Sequence, residues 1–140
     1  HAEISGILIL DDYAHHPGEI IATTEAAKMR YPNRRIVVLF QPHTYSRSLY
    51  LLDGFKRCFG NVDHLYLTDT YAAREQPTAG LSAIDLAAHI QTPPAAYMGS
   101  LEDSVAALVP TLKIGDVVIT MGAGDVNHAG PMITQMLETR

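Results

Sequence analysis

The strongest constraint on the fold is a set of short runs that are apolar at every position. Ile7-Leu8-Ile9-Leu10 and Ile36-Val37-Val38-Leu39-Phe40 have no polar side to turn toward water. A strand of this kind needs cover on both faces, as in a parallel sheet between helices, whereas a half-solvated strand alternates. Stretches with helical spacing lie between the runs. Ile20, Ile21, Thr24, Ala27 and Lys28 mark an inward stripe with a polar margin, Pro17 suits a first helical turn, and Tyr31-Pro32-Asn33 ends the pattern. Leu49, Leu52, Phe55 and Phe59 form a second stripe, stopped by Gly60.

Strands are expected at 7–10, 35–40, 62–67, 95–98 and 116–121, and helices at 17–30, 48–59, 82–90, 100–108 and 127–138, the last interrupted near its start by Gly130-Pro131. Ser82 and Ser100 are candidate caps, with Asp85, Glu102 and Asp103 well placed in the first turns. Five alternations of strand and helix predict an α/β fold: a Rossmann-like, mostly parallel open sheet of about five or six strands with helices on both faces. No repeat, low-complexity segment or linker divides residues 1–140, so a single domain is expected.

A net charge of −5 with no run of lysine or arginine argues against a nucleic-acid-binding face. No apolar run approaches the roughly 18 residues of a membrane span, and no signal-peptide pattern is present. The single Cys58 rules out an internal disulfide and suits a reducing compartment, so a cytoplasmic protein is expected. Among apolar neighbours in the second helix, Cys58 reads as core rather than nucleophile. The start at His1, without an initiator methionine and hard against the first strand, gives the expectation of a piece of a longer chain.

Parallel strands bring their carboxyl ends to one edge, where ligands of open α/β sheets bind. Four polar turns fall there: Asp11-Asp12-Tyr13-Ala14-His15-His16, His43-Thr44-Tyr45-Ser46-Arg47, Asp69 to Arg74, and Gly122-Ala123-Gly124-Asp125. Asp11 and Asp12 could accept hydrogen bonds from a ribose or ligate a divalent cation; helix capping is the plainer role, and suits Asp12 better than Asp11. Arg47, helped by His43, could grip a carboxylate or phosphate. A cation in a first helical turn is opposed by the helix dipole, which hints at a bound anion; the alternative is a solvated arginine. Zinc on His15, His16 and His43 is disfavoured, because no spacing such as H-E-x-x-H is present. Gly122-x-Gly124 lacks the third glycine of a dinucleotide loop, since Asn127 stands there, and reads instead as a tight turn with close backbone approach. His64, His89 and His128 read as structural, and no G-x-x-x-x-G-K-[ST] phosphate loop occurs.

Together these turns resemble a known family. Asp11-Asp12-Tyr13-Ala14-His15-His16-Pro17 resembles the D-D-Y-[GA]-H-H-P motif of the alanine-adding Mur ligases, and Phe40-Gln41-Pro42-His43-Thr44-Tyr45-Ser46-Arg47 their F-Q-P-H-x-[YF]-[ST]-R. Asp69-Thr70-Tyr71-Ala72-Ala73-Arg74-Glu75 is similar to D-x-Y-x-A-x-E, and Gly122-Ala123-Gly124-Asp125 to G-A-G-[DN]. The resemblance implies the carboxy-terminal, amino-acid-binding domain of a three-domain ligase whose UDP-binding and central ATPase domains lie outside this chain. In that family ATP phosphorylates the lactyl carboxylate of UDP-N-acetylmuramate, and the amine of L-alanine attacks the acyl phosphate, an early cytoplasmic step of peptidoglycan synthesis. ATP and Mg2+ would be held mainly by the central domain, and the isolated chain would be inactive.

By the same resemblance Asp11 contacts the ATP ribose, Tyr13 and His15 face the alanine and the reacting centre, and His43 and Arg47 lie near the amino-acid carboxylate. Thr44 departs from the arginine of some members, leaving more of the grip to Arg47. No catalytic group, no metal site and no role for Asp125 is implied. Two other readings compete. A receiver-type phosphoacceptor signalling domain would use Asp11, Asp12 and Asp69, but needs a lysine where Met121-Gly122-Ala123 stands. A free-standing nucleotide-binding module would use the glycine turn after the last strand.

Overall fold

Six strands share one sheet: Ala2–Ile4 (β1), Ile7–Asp12 (β2), Ile36–Phe40 (β3), His64–Leu67 (β4), Ala95–Tyr97 (β5) and Val117–Met121 (β6). The computed structural model describes residues 2–140. The sheet order is β1-β2-β6-β3-β4-β5. All neighbours run parallel except β1, which pairs antiparallel with β2. The last strand, β6, enters the middle, where Val118 pairs with Ile9 on one side and Val37 on the other.

Because side chains alternate across a sheet, the fully apolar strands build two cores. On one face Leu8, Ile36, Val38, Phe40, Ile119 and Met121 pack against Pro17–Arg30 (α1), Leu52–Phe55 (α3) with the turn after it, and Ala83–His89 (α4). On the other, Ile7, Ile9, Val37, Leu39 and Val118 pack against Leu101–Leu108 (α5) and Ala129–Glu138 (α6). This is the expected α/β sheet with helices on both faces. Cys58 is 1% exposed in the first core, and burial pushes its thiol up to about 12.

Three elements differ from expectation. β1 has no counterpart among the expected strands; it hangs on a two-residue turn in which Ser5 and Gly6 both have positive φ, 54° and 77°, the twist that a tight hairpin needs. The second helix is not one unit over 48–59 but Tyr45–Tyr50 (α2) and α3, broken at Leu51. Thr44 starts it early by accepting the Arg47 N–H on its hydroxyl, and Gly54 lies where a Cβ would meet Pro17 Cγ at 2.7 Å, so contact with α1 shapes this stretch. Gly130-Pro131 does not interrupt α6: Pro131 sits in its first turn, where a missing N–H costs nothing, and a 3-10 turn, Asp125–His128, precedes it.

At the amino edge of the sheet Arg35 and the buried Asp116 form a bidentate pair, with Arg35 Nε 2.7 Å from Oδ1 and Nη2 2.6 Å from Oδ2. Lys113 N–H adds a bond to Oδ2 at 2.8 Å, and Arg35 Nη1 lies 3.1 Å from His64 Nε2. The pair ties β3 to the entry of β6, leaving the carboxyl edge for other chemistry.

Candidate functional site

The turn after β2 carries two acids with different surroundings. Asp12 accepts the Ala14 N–H at 2.8 Å and the Thr23 hydroxyl at 3.2 Å, so it orders the turn against α1. It does not cap the helix: the N-cap is His16, which makes no side-chain cap bond. Asp11 is exposed and accepts the Thr120 hydroxyl, at 2.7 Å on Oδ1. Its other oxygen has no hydrogen-bond partner among the described residues. Asp11 lines an open groove of ≈ 420 Å³ together with Ile9, Asn127, Pro131 and Thr134.

His15 folds back over the start of α1, its Nδ1 3.0 Å from Tyr13 O and 3.3 Å from Glu19 Oε1. Tyr13 is 70% exposed and meets the His15 ring edge-on. The His15 ring in turn lies 5.8 Å from that of His43, on the neighbouring turn.

That second turn is held by backbone. Tyr71 N–H donates to Pro42 O and Thr44 N–H to Tyr71 O, both at 2.9 Å, which carries the parallel β3–β4 pairing one step past the strands as a His43–Tyr71 bridge. The bridge places the two rings face to face, with centroids 5.4 Å apart and planes 18° from parallel. Thr44 adopts φ 63°, ψ 147°, a conformation few side chains tolerate, where the chain swings from the bridge into α2. Arg47, one turn on, brings Nη1 to 3.2 Å from His43 Nδ1. A guanidinium can only donate, so His43 Nδ1 accepts and its proton resides on Nε2. Burial, then the Arg47 charge, then His15 hold the His43 pKa below its ordinary value, against a smaller pull from Glu75. The imidazole beside Arg47 is thus kept neutral. Among the described residues Arg47 forms no salt bridge.

The loop after β4 closes over this turn. Glu75 accepts Ser46 N–H at 3.0 Å and the Ser46 hydroxyl, which lowers its pKa. Gly80 lies so close to α2 that a Cβ would fall 1.9 Å from Tyr45 O. Asp69, at the start of the loop, accepts from the Tyr97 hydroxyl.

On the fourth turn Gly122 has φ 152°, and a Cβ there would sit 2.9 Å from Gln41 O. Gln41, 5% exposed, donates from Nε2 to Asp125 Oδ1 at 2.6 Å and accepts Val126 N–H at 3.2 Å. The glycines serve close approach, as their spacing indicated.

The structure therefore brings His15, His43 and Arg47 together, with Tyr13 at the rim. Asp11 stands apart: β6 lies between β2 and β3, so two strand spacings, roughly 10 Å, separate its strand from the His43 strand. The same order weighs against a receiver. Asp69 follows β4, three spacings or about 14 Å from the β2 acids, and its carboxylate is engaged by Tyr97. Among the described residues no three His, Cys, Asp or Glu side chains converge as a metal-ligand set, so they offer no all-protein cage for Mg2+, an ion that needs only one or two carboxylates beside substrate phosphates. Sequence reasoning assigned nothing to Gln41, Tyr71 or Glu75. All three fall in the motifs that carry the resemblance, and Gln41 gave a further signal as a glutamine directly after a fully apolar strand, because a polar group at that depth needs partners.

A family model described as "Mur ligase, glutamate ligase domain" matches residues 1–124. UDP-N-acetylmuramate–L-alanine ligases of Trichlorobacter lovleyi and Alkaliphilus metalliredigens are 45% and 47% identical to this chain; each alignment covers 96% of it, but 30% and 28% of those proteins. The chain thus spans about 30% of the length of these curated relatives. Among solved structures, the UDP-N-acetylmuramate–alanine ligase of Thermotoga maritima superposes with a TM-score of 0.78 at 22% identity, covering 96% of this chain and 27% of that one. A murein peptide ligase of Psychrobacter arcticus gives 0.79 at 19%, covering 100% and 29%. At those identities the likeness is one of fold.

Proposed function

The chain belongs to the Mur ligase family, in its glutamate ligase domain, and from that premise we propose that it is the carboxy-terminal, amino-acid-binding domain of an ADP-forming ligase that joins L-alanine to UDP-N-acetylmuramate in the cytoplasm. The observation that carries this reading is the half-buried Arg47, free of any carboxylate among the described residues, locked to a neutral His43 at the carboxyl edge of a parallel sheet. A planar cationic fork with no internal anion suits the carboxylate of an amino acid.

In this reading Arg47 takes the carboxylate of alanine. His43, accepting from Arg47, holds the guanidinium in place and keeps a second positive charge away from the incoming amine. His15 and Tyr13 border the reacting centre. Asp11 accepts the ribose hydroxyls of ATP with the oxygen that Thr120 leaves open. The grip on the ATP phosphates and Mg2+ belongs to the central domain, since this chain has no phosphate loop and no converging ligand set among the described residues. The domain orients the amine and excludes water from the acyl phosphate when the domains close, work that only the whole enzyme can perform.

The test is phosphate release from ATP by the parent protein with UDP-N-acetylmuramate and L-alanine, D-glutamate or no amino acid, alongside Arg47→Ala, Asp11→Asn and Asp12→Asn. Release that requires L-alanine, with a raised KM for alanine in Arg47→Ala and for ATP in Asp11→Asn, is expected. Dependence on D-glutamate would overturn the alanine assignment. Loss of ATP affinity in Asp12→Asn with Asp11→Asn unaffected would move the ribose contact to Asp12.

A further inference from the structure

Neither Asp125 nor Gln41 is hydrogen-bonded to the Arg47 guanidinium or the His43 ring, yet a chain of contacts leads from them to both. Gln41 is buried at the end of β3, and its carboxamide is used at both ends, by Asp125 Oδ1 at 2.6 Å and by Val126 N–H at 3.2 Å. These two bonds clamp the turn after β6 against β3. The clamped turn presents Gly124 to the Tyr71 ring so closely that a Cβ would fall 2.5 Å from Tyr71 Cγ and 2.6 Å from Gln41 Oε1. Tyr71 in turn is stacked on His43. His43 Nδ1 receives the Arg47 Nη1 bond.

A stack fixes the spacing of two rings but resists sliding poorly. Tyr71 is 39% exposed and its hydroxyl makes no hydrogen bond among the described residues, so the backbone at Gly124 is what supports it from the side of β6. We propose that Asp125 and Gln41 are positioning residues for the amino-acid site: their hydrogen bond holds the Gly122–Gly124 turn as a backstop to Tyr71, and Tyr71 sets the plane of His43 and so the aim of Arg47. The proposal rests on the reading of His43 and Arg47 as the amino-acid site. It explains why a turn after the sixth strand, with no side chain reaching the carboxylate grip, carries an acid next to two closely packed glycines. It also predicts which replacement is tolerated. Asparagine at 125 keeps an oxygen that accepts from Gln41 Nε2, and alanine does not.

Two experiments test it. The first is nuclear magnetic resonance on this chain, following the contact between the Tyr71 and His43 rings and the His43 titration midpoint. His43 is faced by Arg47, His15 and Glu75, all left intact. In Asp125→Ala the ring contact weakens and the midpoint rises toward the ordinary histidine value as the ring becomes more hydrated; Asp125→Asn behaves as the parent sequence. Gly124→Ala, which pushes on Tyr71 directly, gives the same shift and covers the case in which Asp125→Ala fails to fold. An unchanged ring contact and midpoint in the folded variants overturns the proposal. The second is ligation by the parent enzyme, where Asp125→Ala raises KM for L-alanine by roughly tenfold to a hundredfold, more than it lowers kcat, and Asp125→Asn restores it. If the rings move and alanine KM does not, the coupling stands and the amino-acid reading of His43 and Arg47 falls instead.

Discussion

Asp116→Ala removes the anionic half of the pair that closes the amino edge of the sheet. Asp116 is 1% exposed and receives three charge-assisted bonds: two from Arg35, at 2.7 and 2.6 Å, and one from Lys113 N–H at 2.8 Å. Breaking a buried pair from one side costs about 3–5 kcal/mol, because the partner stays behind uncompensated. The Arg35 side chain is 30% exposed and can partly rehydrate, which places the loss near the lower end, about 3 kcal/mol. For a chain of this size each kcal/mol lowers the melting temperature by roughly 3 °C, so about 9 °C is expected. Thermal unfolding followed by circular dichroism at neutral pH measures it, and adding Arg35→Met recovers part of the loss by removing the orphaned charge. The pH dependence supplies a second readout. Burial pushes the Asp116 carboxyl upward, but the Arg35 hydrogen bonds, the Lys113 N–H and the charges of Arg35 and His64 outweigh it, so its pKa lies below the usual value. A carboxyl depressed on folding contributes stability that is fully present above its unfolded pKa of about 3.9 and is lost as the pH falls through the folded value. The gap between parent and variant should therefore be constant near neutrality and close only below about pH 4. A loss under about 1 kcal/mol, or a gap that acid leaves unchanged, would refute this account of the pair.

Cys58, with its thiol pushed up to about 12 by burial, should resist alkylation in the folded chain at mildly alkaline pH and react on unfolding; fast labelling of the native chain would place it outside the core. The Tyr97 phenol is pushed up to about 12, first by its hydrogen bond to Asp69 and then by burial. Asp69→Ala, which leaves no accepting oxygen, should bring its ultraviolet titration back toward about 10, and an unmoved midpoint would mean that the bond does not persist in solution. Gly80→Ala cannot fit its Cβ 1.9 Å from Tyr45 O without moving the loop off α2, so it should lower stability by about 1–3 kcal/mol and expose the Ser46–Glu75 bonds to exchange; a variant as stable as the parent, with Ser46 still protected, would show the loop is not seated there.

Several elements were legible because their signals are local. Pro17 to Arg30 forms a helix with the bounds its apolar spacing and proline indicate, and the apolar runs at 7–10 and 36–40 lie in strands covered on both faces. β1 was not legible: the three residues Ala2-Glu3-Ile4 are too few to establish a period, and they become a strand only because Ser5-Gly6 folds them onto β2. The split of α2 from α3 was hidden for a related reason. The stripe Leu49, Leu52, Phe55, Phe59 is continuous in sequence, and the contact of Gly54 with Pro17 that accompanies the break comes from another element.

At the site, the residue types were plain from the chain and their partners were not. Apolar strands that alternate with helices determine a parallel sheet, and a parallel sheet must collect the polar turns on one edge, so the sequence by itself placed Asp11, Tyr13, His15, His43 and Arg47 on a common rim. It could not set the strand order. Only when β6 inserts between β2 and β3 does Asp11 part from His43 and does Gln41 meet Asp125 across 84 positions, and only when β4 pairs with β3 does the Tyr71 ring stack on His43. Periodicity records which side of an element is buried, a property of neighbours along the chain. Which buried side meets which is decided by packing among distant segments, and that carries no local signature.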